Sequence, residues 1–406
     1  MATIASANKV TRALVMLLGA AVFLNYVDRG AIAVAAPLMK GELGLSATEF
    51  GTAVSAFFWI YAPVQLVVGW LCDRFSVYRL IALGVIVWAA STLMMGFVGG
   101  FISLLVLRVL LGVGESIIFP GSGKIIARHV PPEGRGLANA WCAAGIALGP
   151  AVGTLAGGMI LANHGWRAIF IVFGLATLIW LLPWKRVVDA LPIVADGEAD
   201  RAVPIGRLTG RWSLWAMGVG HAAGNFSFYF LLAFLPLYLV QQRGLTITQM
   251  TLLATLGYAV QAAAAFALGH WSDRWTKSGR PEAAIRRAML IAGQLLAAGC
   301  ILGIAITDSI AVIGLLLCLA GVASASLSMN LYSVAQMFAG PRAAGTWIGI
   351  QNALGNISGI VGPVISGVLI DRSGYNSAFY LAAAVAAFGG VWWAFGVPRI
   401  EQIELD

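Results

Sequence analysis

Twelve apolar stretches, each long enough to cross a bilayer, follow one another along this chain, near 11–38, 50–71, 77–98, 101–127, 137–162, 166–184, 212–240, 248–271, 287–307, 310–338, 344–371 and 375–397. A helix needs roughly 20 apolar residues to span the hydrocarbon layer. Only helices and closed barrels satisfy their own backbone there. The pattern therefore predicts an all-α polytopic membrane protein with twelve transmembrane helices. Composition agrees, since 60% of the 406 residues are hydrophobic and only 10% are charged, against about 25% charged in an ordinary soluble domain. Mean hydropathy is +0.88. The run that begins after "MATIASANKVTR" is too long for a signal-peptide core, so the first span is expected to remain in the protein. Cys72, Cys142, Cys300 and Cys318 lie in or beside apolar segments at no metal-like spacing, so neither a disulfide nor a metal site is expected.

Charge orients the spans. With the N-terminus in the cytoplasm, 19 of the 25 Lys and Arg fall in inner loops and tails, 4 in outer loops, and 2, Arg29 and Arg108, within spans. This is the positive-inside asymmetry. It accounts for the net charge of +8 without nucleic acid, for which no basic patch interleaved with aromatics is present. The expected location is the inner (cytoplasmic) membrane, multi-pass, with both termini cytoplasmic. The one long polar gap, Lys185 to Arg211, is read as a cytoplasmic linker between an N-terminal half, 1–184, and a C-terminal half, 212–406.

The halves repeat. "GWLCDRFSVYR" from Gly69 and "GHWSDRWTKSGR" from Gly269 place Gly-x-x-x-Asp-Arg after the second span of each half, 200 residues apart. "GPAVGTLAGGMI" at Gly149 answers "GPVISGVLI" at Gly362, Pro37 answers Pro236, and "HGWRAIF" at His164 answers "SGYNSAF" at Ser373. Two pseudo-symmetric six-helix halves are a transporter plan, with the substrate held between them near the midplane.

These motifs carry a resemblance. Gly69, Asp73, Arg74 and the following Arg79 resemble the best-known loop signature of the major facilitator superfamily, and "RVLLGVGE" from Arg108 and "GPAVG" are similar to two more of its motifs. The resemblance covers essentially the whole chain and implies the major facilitator fold. Within the superfamily, "NYVDR", "FFWIYAPVQ" and "RVLLGVGESIIFPG" resemble the anion:cation symporter family, which includes galactonate and hexuronate carriers and vesicular glutamate and sialic acid transporters.

Four formal charges lie well inside spans: Asp28, Arg29, Arg108 and Glu115. Each costs roughly 2.5–3.5 kcal/mol at the bilayer centre, so they are expected to face a cavity and neutralise one another. Arg108 and Glu115 are seven residues apart, on one helix face but about 10.5 Å apart along the axis, so each needs a partner elsewhere, with span 1 the candidate. Gly112 and Gly114 between them admit a neighbouring helix or a substrate. Arg29 offers a planar fork suited to a carboxylate, and Asp28 and Glu115 are candidate proton sites, with Arg108 beside them. The resemblance implies the same roles for the span 1 Asp and Arg and the span 4 Glu. The plainer alternative is an ion-pair network that fixes helix packing.

Tyr26, Tyr61, Gln65, Asn352 and Asn356 are further candidate substrate contacts; the resemblance points to the two tyrosines and to an Asn in span 11. Helix–helix hydrogen bonding is the alternative for the Asn pair. His221 and Asn225, one turn apart in span 7, are possible cavity-lining residues, or simply packed ones. Gly69, Asp73, Arg74, Arg79, Gly269, Asp273 and Arg274 form the expected gating motif, or serve topology alone. The expected function is proton-coupled symport of an organic carboxylate anion, a sugar acid or a simpler monocarboxylate, by alternating access. The chain is expected to work as a monomer in the lipid bilayer, with protons as coupling ion and no other cofactor. The alternative is a proton-independent exchanger or facilitator. A membrane-embedded enzyme is disfavoured, because no catalytic nucleophile–base pair stands at membrane depth.

Overall fold

A computed structural model of the protein describes residues 2–130, 132–191 and 205–403. Among them the elements are α1 (Ala2–Glu42), α2 (Ala47–Arg74), α3 (Val77–Met95), α4 (Phe101–Glu115), α5 (Ile118–His129), α6 (Pro132–His164), α7 (Trp166–Asp189), a short α8 (Ile205–Thr209), α9 (Trp212–Leu237), α10 (Ile247–Lys277), α11 (Glu282–Ile306), α12 (Ile310–Ser373) and α13 (Tyr375–Phe395). Eleven spans among the described residues have the length and apolar character to cross a membrane, and the 28-residue α2 is the remaining long helix. The expected bounds of spans 4, 10 and 11 agree with the structure to within a few residues. Span 4 runs from Phe101 to Ile126, with α4 and α5 meeting at Ser116 and Ile117, where the Ser116 hydroxyl donates back to the Val113 carbonyl at 2.7 Å. Spans 10 and 11, Ile310–Gly340 and Thr346–Ser373, together make up α12 and are separated at the non-helical Gly340, φ 64°.

The internal repeat has a conformational basis. Gly44 (φ 62°) and Gly244 (φ 68°) end the first span of each half, and Gly165 (φ 77°) and Gly374 (φ 79°) start the last. All four occupy left-handed backbone that a side chain disfavours, so the sequence keeps glycine at matching places.

The chain divides into two compact units: Met1–Leu45, Ala56–Glu198 and Thr246–Thr251 in the first, and Ser46–Ser55, Ala199–Leu245 and Leu252–Asp406 in the second. In the first, α6 lies against α1 along Gly145, Gly149 and Gly153; a Cβ at these positions would stand 2.8 Å from Phe23 N, 2.5 Å from the Tyr26 Cβ and 2.9 Å from the Val27 Cα. Small residues at four-residue spacing let helix backbones approach this closely. At the end of α1, Glu42 accepts from the Trp166 indole at 2.6 Å and pairs with Arg167. At the opposite end Lys124 donates to the Cys72 carbonyl at 2.6 Å, in the last turn of α2, a favourable place for a cation.

In the second unit, Arg243 joins Asp308, Tyr238 and the Thr307 carbonyl, where a π turn, Tyr238–Gln242, ends α9. The Asp371 carboxylate, late in α12, accepts from the Ala47 and Thr48 amides at 2.9 and 2.7 Å and from the Thr48 hydroxyl at 2.5 Å. It thereby caps the first turn of α2 from another helix.

Candidate functional site

In the first unit, Glu115 at the end of α4 accepts from Arg29 Nε at 2.9 Å. The Glu115 side chain is fully buried and that of Arg29 is 10% exposed. The Arg29 guanidinium carbon lies 4.6 Å from the Tyr61 ring centre, 4.9 Å from that of Phe57 and 5.1 Å from that of Tyr26. Phe57 and Tyr61 stack with ring centres 4.9 Å apart. Arg108, also buried, places its guanidinium carbon 5.2 Å from the same Phe57 ring. One phenyl ring thus serves two cations, and each desolvated cation–π contact contributes about 2 kcal/mol. The backbone allows this because Gly112, between Arg108 and Glu115, has no side chain to strike the Phe57 carbonyl. Gly112 and Gly114 admit α2 and α3 respectively, so a neighbouring helix takes the space they leave.

Asp28 departs from the expectation that all four charges neutralise one another. It is 3% exposed. Its hydrogen-bond partners among the described residues are neutral: Trp88 Nε1 at 2.6 Å, the Thr92 hydroxyl at 3.3 Å and the Thr177 hydroxyl at 3.4 Å, all to Oδ2. The reason is helical geometry. Consecutive residues point about 100° apart, so Arg29 faces α2 and α4 while Asp28 faces α3 and α7. Trp88 and Thr92 escape a reading of charges and motifs. Their signal was there: two hydrogen-bonding side chains one turn apart in a largely apolar span.

The second unit holds a neutral polar group. The Tyr229 hydroxyl donates to Asn356 Oδ1 at 2.7 Å, Asn356 Nδ2 donates to the Asn352 carbonyl at 2.8 Å, and the Tyr332 hydroxyl reaches Asn352 Oδ1 at 3.4 Å. Asn225 donates to the Gly355 carbonyl at 3.2 Å. The His221 ring packs on Gly355, where a Cβ would lie 2.5 Å from it, and meets the Tyr332 ring edge-on. His221 is thus packed into a helix crossing. Gln351, fully buried with neither amide atom hydrogen-bonded among the described residues, belongs to the same stretch and carries no motif. No charged side chain takes part in these contacts.

Of the gating positions, Arg79 and Arg274 are exposed and Gly269 has room around it, since a Cβ there would stand 3.7 Å from the Met329 methyl. Gly69, Asp73 and Arg74 belong to the last turns of α2 and Asp273 to α10, and the side chains of Asp73, Arg74 and Asp273 lie outside what the structure describes. Gln65, on α2, is half-buried. Among the described residues no group of His, Cys, Asp and Glu is arranged to hold a metal ion.

The Major Facilitator Superfamily profile matches residues 18–281 and 226–404. The chain belongs to the Major Facilitator Superfamily. The relatives of this superfamily member bear transporter names. A probable sulfoacetate transporter of Cupriavidus necator is 30% identical, the match covering 93% of this chain and 92% of that protein. The hexuronate transporter of Bacillus subtilis is 26% identical, covering 91% and 90%. The D-galactonate transporter of Escherichia coli is 28% identical, covering 94% of each chain. Among solved structures, a bacterial homologue of the human lysosomal transporter Spinster superposes with a TM-score of 0.82 at 18% identity, covering 95% of this chain and 96% of that one. That likeness gives the fold. The protein is a multi-pass membrane transporter and not an enzyme.

Proposed function

We propose that this protein is a proton-coupled symporter of an organic carboxylate anion, working by alternating access in the cytoplasmic membrane with both termini in the cytoplasm. The observation that carries the reading is the buried Arg29–Glu115 pair among three aromatic rings. A guanidinium is the group best matched to a carboxylate fork, and here an internal carboxylate already engages it. A substrate carboxylate and the Glu115 carboxylate compete for the same cation. Protonating Glu115 weakens its hold on Arg29 and hands the guanidinium to the substrate, so proton and anion are taken up together. Tyr26 and Tyr61 flank the anchor, and the amides of Asn352 and Asn356 are suited to substrate hydroxyls. The relatives named for hexuronate, D-galactonate and sulfoacetate support an anionic cargo.

The test is uptake by the purified protein in liposomes that contain a pH-sensitive dye, with D-galactonate, D-glucuronate and sulfoacetate supplied in turn. Symport acidifies the lumen as the anion enters. Anion entry with no change in luminal pH makes the protein an exchanger or facilitator and removes Glu115 as a coupling site.

A further inference from the structure

Asp28 is held differently from the other buried acid. Three donors from two other helices converge on one of its oxygens: Trp88 and Thr92 from α3, and Thr177 from α7. The donors are themselves fixed. Trp88 and Thr177 are fully buried, Thr92 is 1% exposed, and the Trp88 amide sits 2.5 Å from where a Cβ on Gly114 would stand. The second carboxyl oxygen, Oδ1, is buried and has no hydrogen-bond partner among the described residues.

We infer that Trp88, Thr92 and Thr177 are positioning residues that hold the Asp28 carboxyl in one orientation and set its proton affinity, with Oδ1 as the seat of the proton. The inference rests on the reading of this protein as proton-coupled. An indole N–H can only donate, so Trp88 stabilises negative charge on Oδ2 whatever the neighbouring hydroxyls do. Hydrogen bonds to the charged form favour it. With Oδ2 occupied by three donors, an arriving proton binds Oδ1. The charged and titratable groups around Asp28 are Arg29 and Tyr26 on its own helix and Arg108 and Glu115 on α4. Among the described residues the packed face of α6 offers Gly149 and Gly153, and α3 and α7 offer the neutral donors alone. The two acids then have separate tasks. Glu115 competes with the cargo for Arg29, whereas Asp28 registers the proton at a joint of α1, α3 and α7.

Infrared pH-difference spectroscopy of the purified full chain tests this without any substrate. The protonated-carboxyl band that disappears in Asp28→Asn belongs to Asp28. In Trp88→Phe its titration midpoint should move about one unit to higher pH, the size expected for one hydrogen bond to a charged group. Thr92→Val and Thr177→Val should move it less, in the same direction, and Thr92→Ser should restore the wild-type value. Midpoints that coincide with wild type in both valine variants overturn the inference, and those near-isosteric changes decide the matter even if Trp88→Phe fails to fold. It also falls if Asp28→Asn removes no band over the pH range in which the protein stays folded. Because the band is read without transport, the two readings fail separately. Shifted midpoints in a protein whose anion uptake moves no protons sink the symport reading and leave the donor cradle standing.

Discussion

Arg29 and Glu115, 86 residues apart in the chain, meet at 2.9 Å in a site from which Glu115 is wholly withdrawn from solvent. A buried pair of this kind is weak support for stability, because desolvating both ions offsets most of their attraction. Its value is as a switch, since removing either charge changes what holds the other.

Arg29→Lys tests the anchor. Lysine keeps the charge and loses the fork. The variant should fold, and the rise in melting temperature produced by saturating D-galactonate, D-glucuronate or sulfoacetate in the wild type should be absent. Ligand at about 100 times its Kd stabilises by roughly 2.7 kcal/mol, which is ample to detect. An unchanged ligand-induced shift removes Arg29 as the anchor.

Glu115→Gln tests coupling. Glutamine has the shape and neutrality of the protonated acid and cannot release a proton. Exchange of anion across liposomes without a gradient should persist, while accumulation driven by an imposed pH difference should be lost. The driving force at stake is about 1.36 kcal/mol per pH unit for each proton. A variant that still concentrates the anion against its gradient shows that coupling runs through another acid.

Gly112→Ala should destabilise the fold severely, because its methyl group would strike the Phe57 backbone carbonyl. Overpacking of this kind costs about 1–3 kcal/mol. Gly123→Ala, where nothing lies within 4 Å of the new methyl, is the matched control and should melt like wild type. Equal melting temperatures for the two variants would contradict the helix contact described here.

Asp371→Ala should loosen the first turn of α2, since three hydrogen bonds to Ala47 and Thr48 disappear together. Losing an N-cap costs about 1 kcal/mol. Amide exchange at 47–50 should quicken by roughly fivefold for that energy, with exchange in α13 unaffected. Exchange at the wild-type rate shows that the first turn is held by other contacts.

His129, at the end of α5, is held below the usual histidine value by partial burial and then by the neighbouring Arg128, and it hydrogen-bonds the Tyr78 hydroxyl. A base whose folded-state pKa is depressed binds fewer protons folded than unfolded in the window between the two values. Its contribution is therefore complete above the unfolded histidine pKa, near 6.5, and falls as the pH drops through that window. Melting temperature should decline as the pH falls below about 6.5, and His129→Gln should shrink that decline. A variant whose melting curve tracks wild type across this window assigns the pH dependence elsewhere.

What the sequence determined by itself is the part governed by local rules. Span length, the Lys and Arg asymmetry and the 200-residue repeat follow from hydrocarbon thickness, charge transfer and backbone conformation, and each is readable residue by residue. Gly44 and Gly244, or Gly165 and Gly374, show why: a left-handed turn excludes other residues wherever the chain must make it. The buried charges were legible for a related reason, because an ion in an apolar span is conspicuous whatever it touches. Partners were a matter for tertiary structure alone. Asp28 and Arg29 are adjacent in sequence, yet one meets Trp88, Thr92 and Thr177 and the other meets Glu115 and Phe57. Adjacent side chains on a helix diverge by about 100°, and which neighbouring helix lies along each direction depends on where backbones can approach. That was set by glycines at Gly112, Gly114, Gly149 and Gly153, which in sequence mark a close approach without saying which helix makes it.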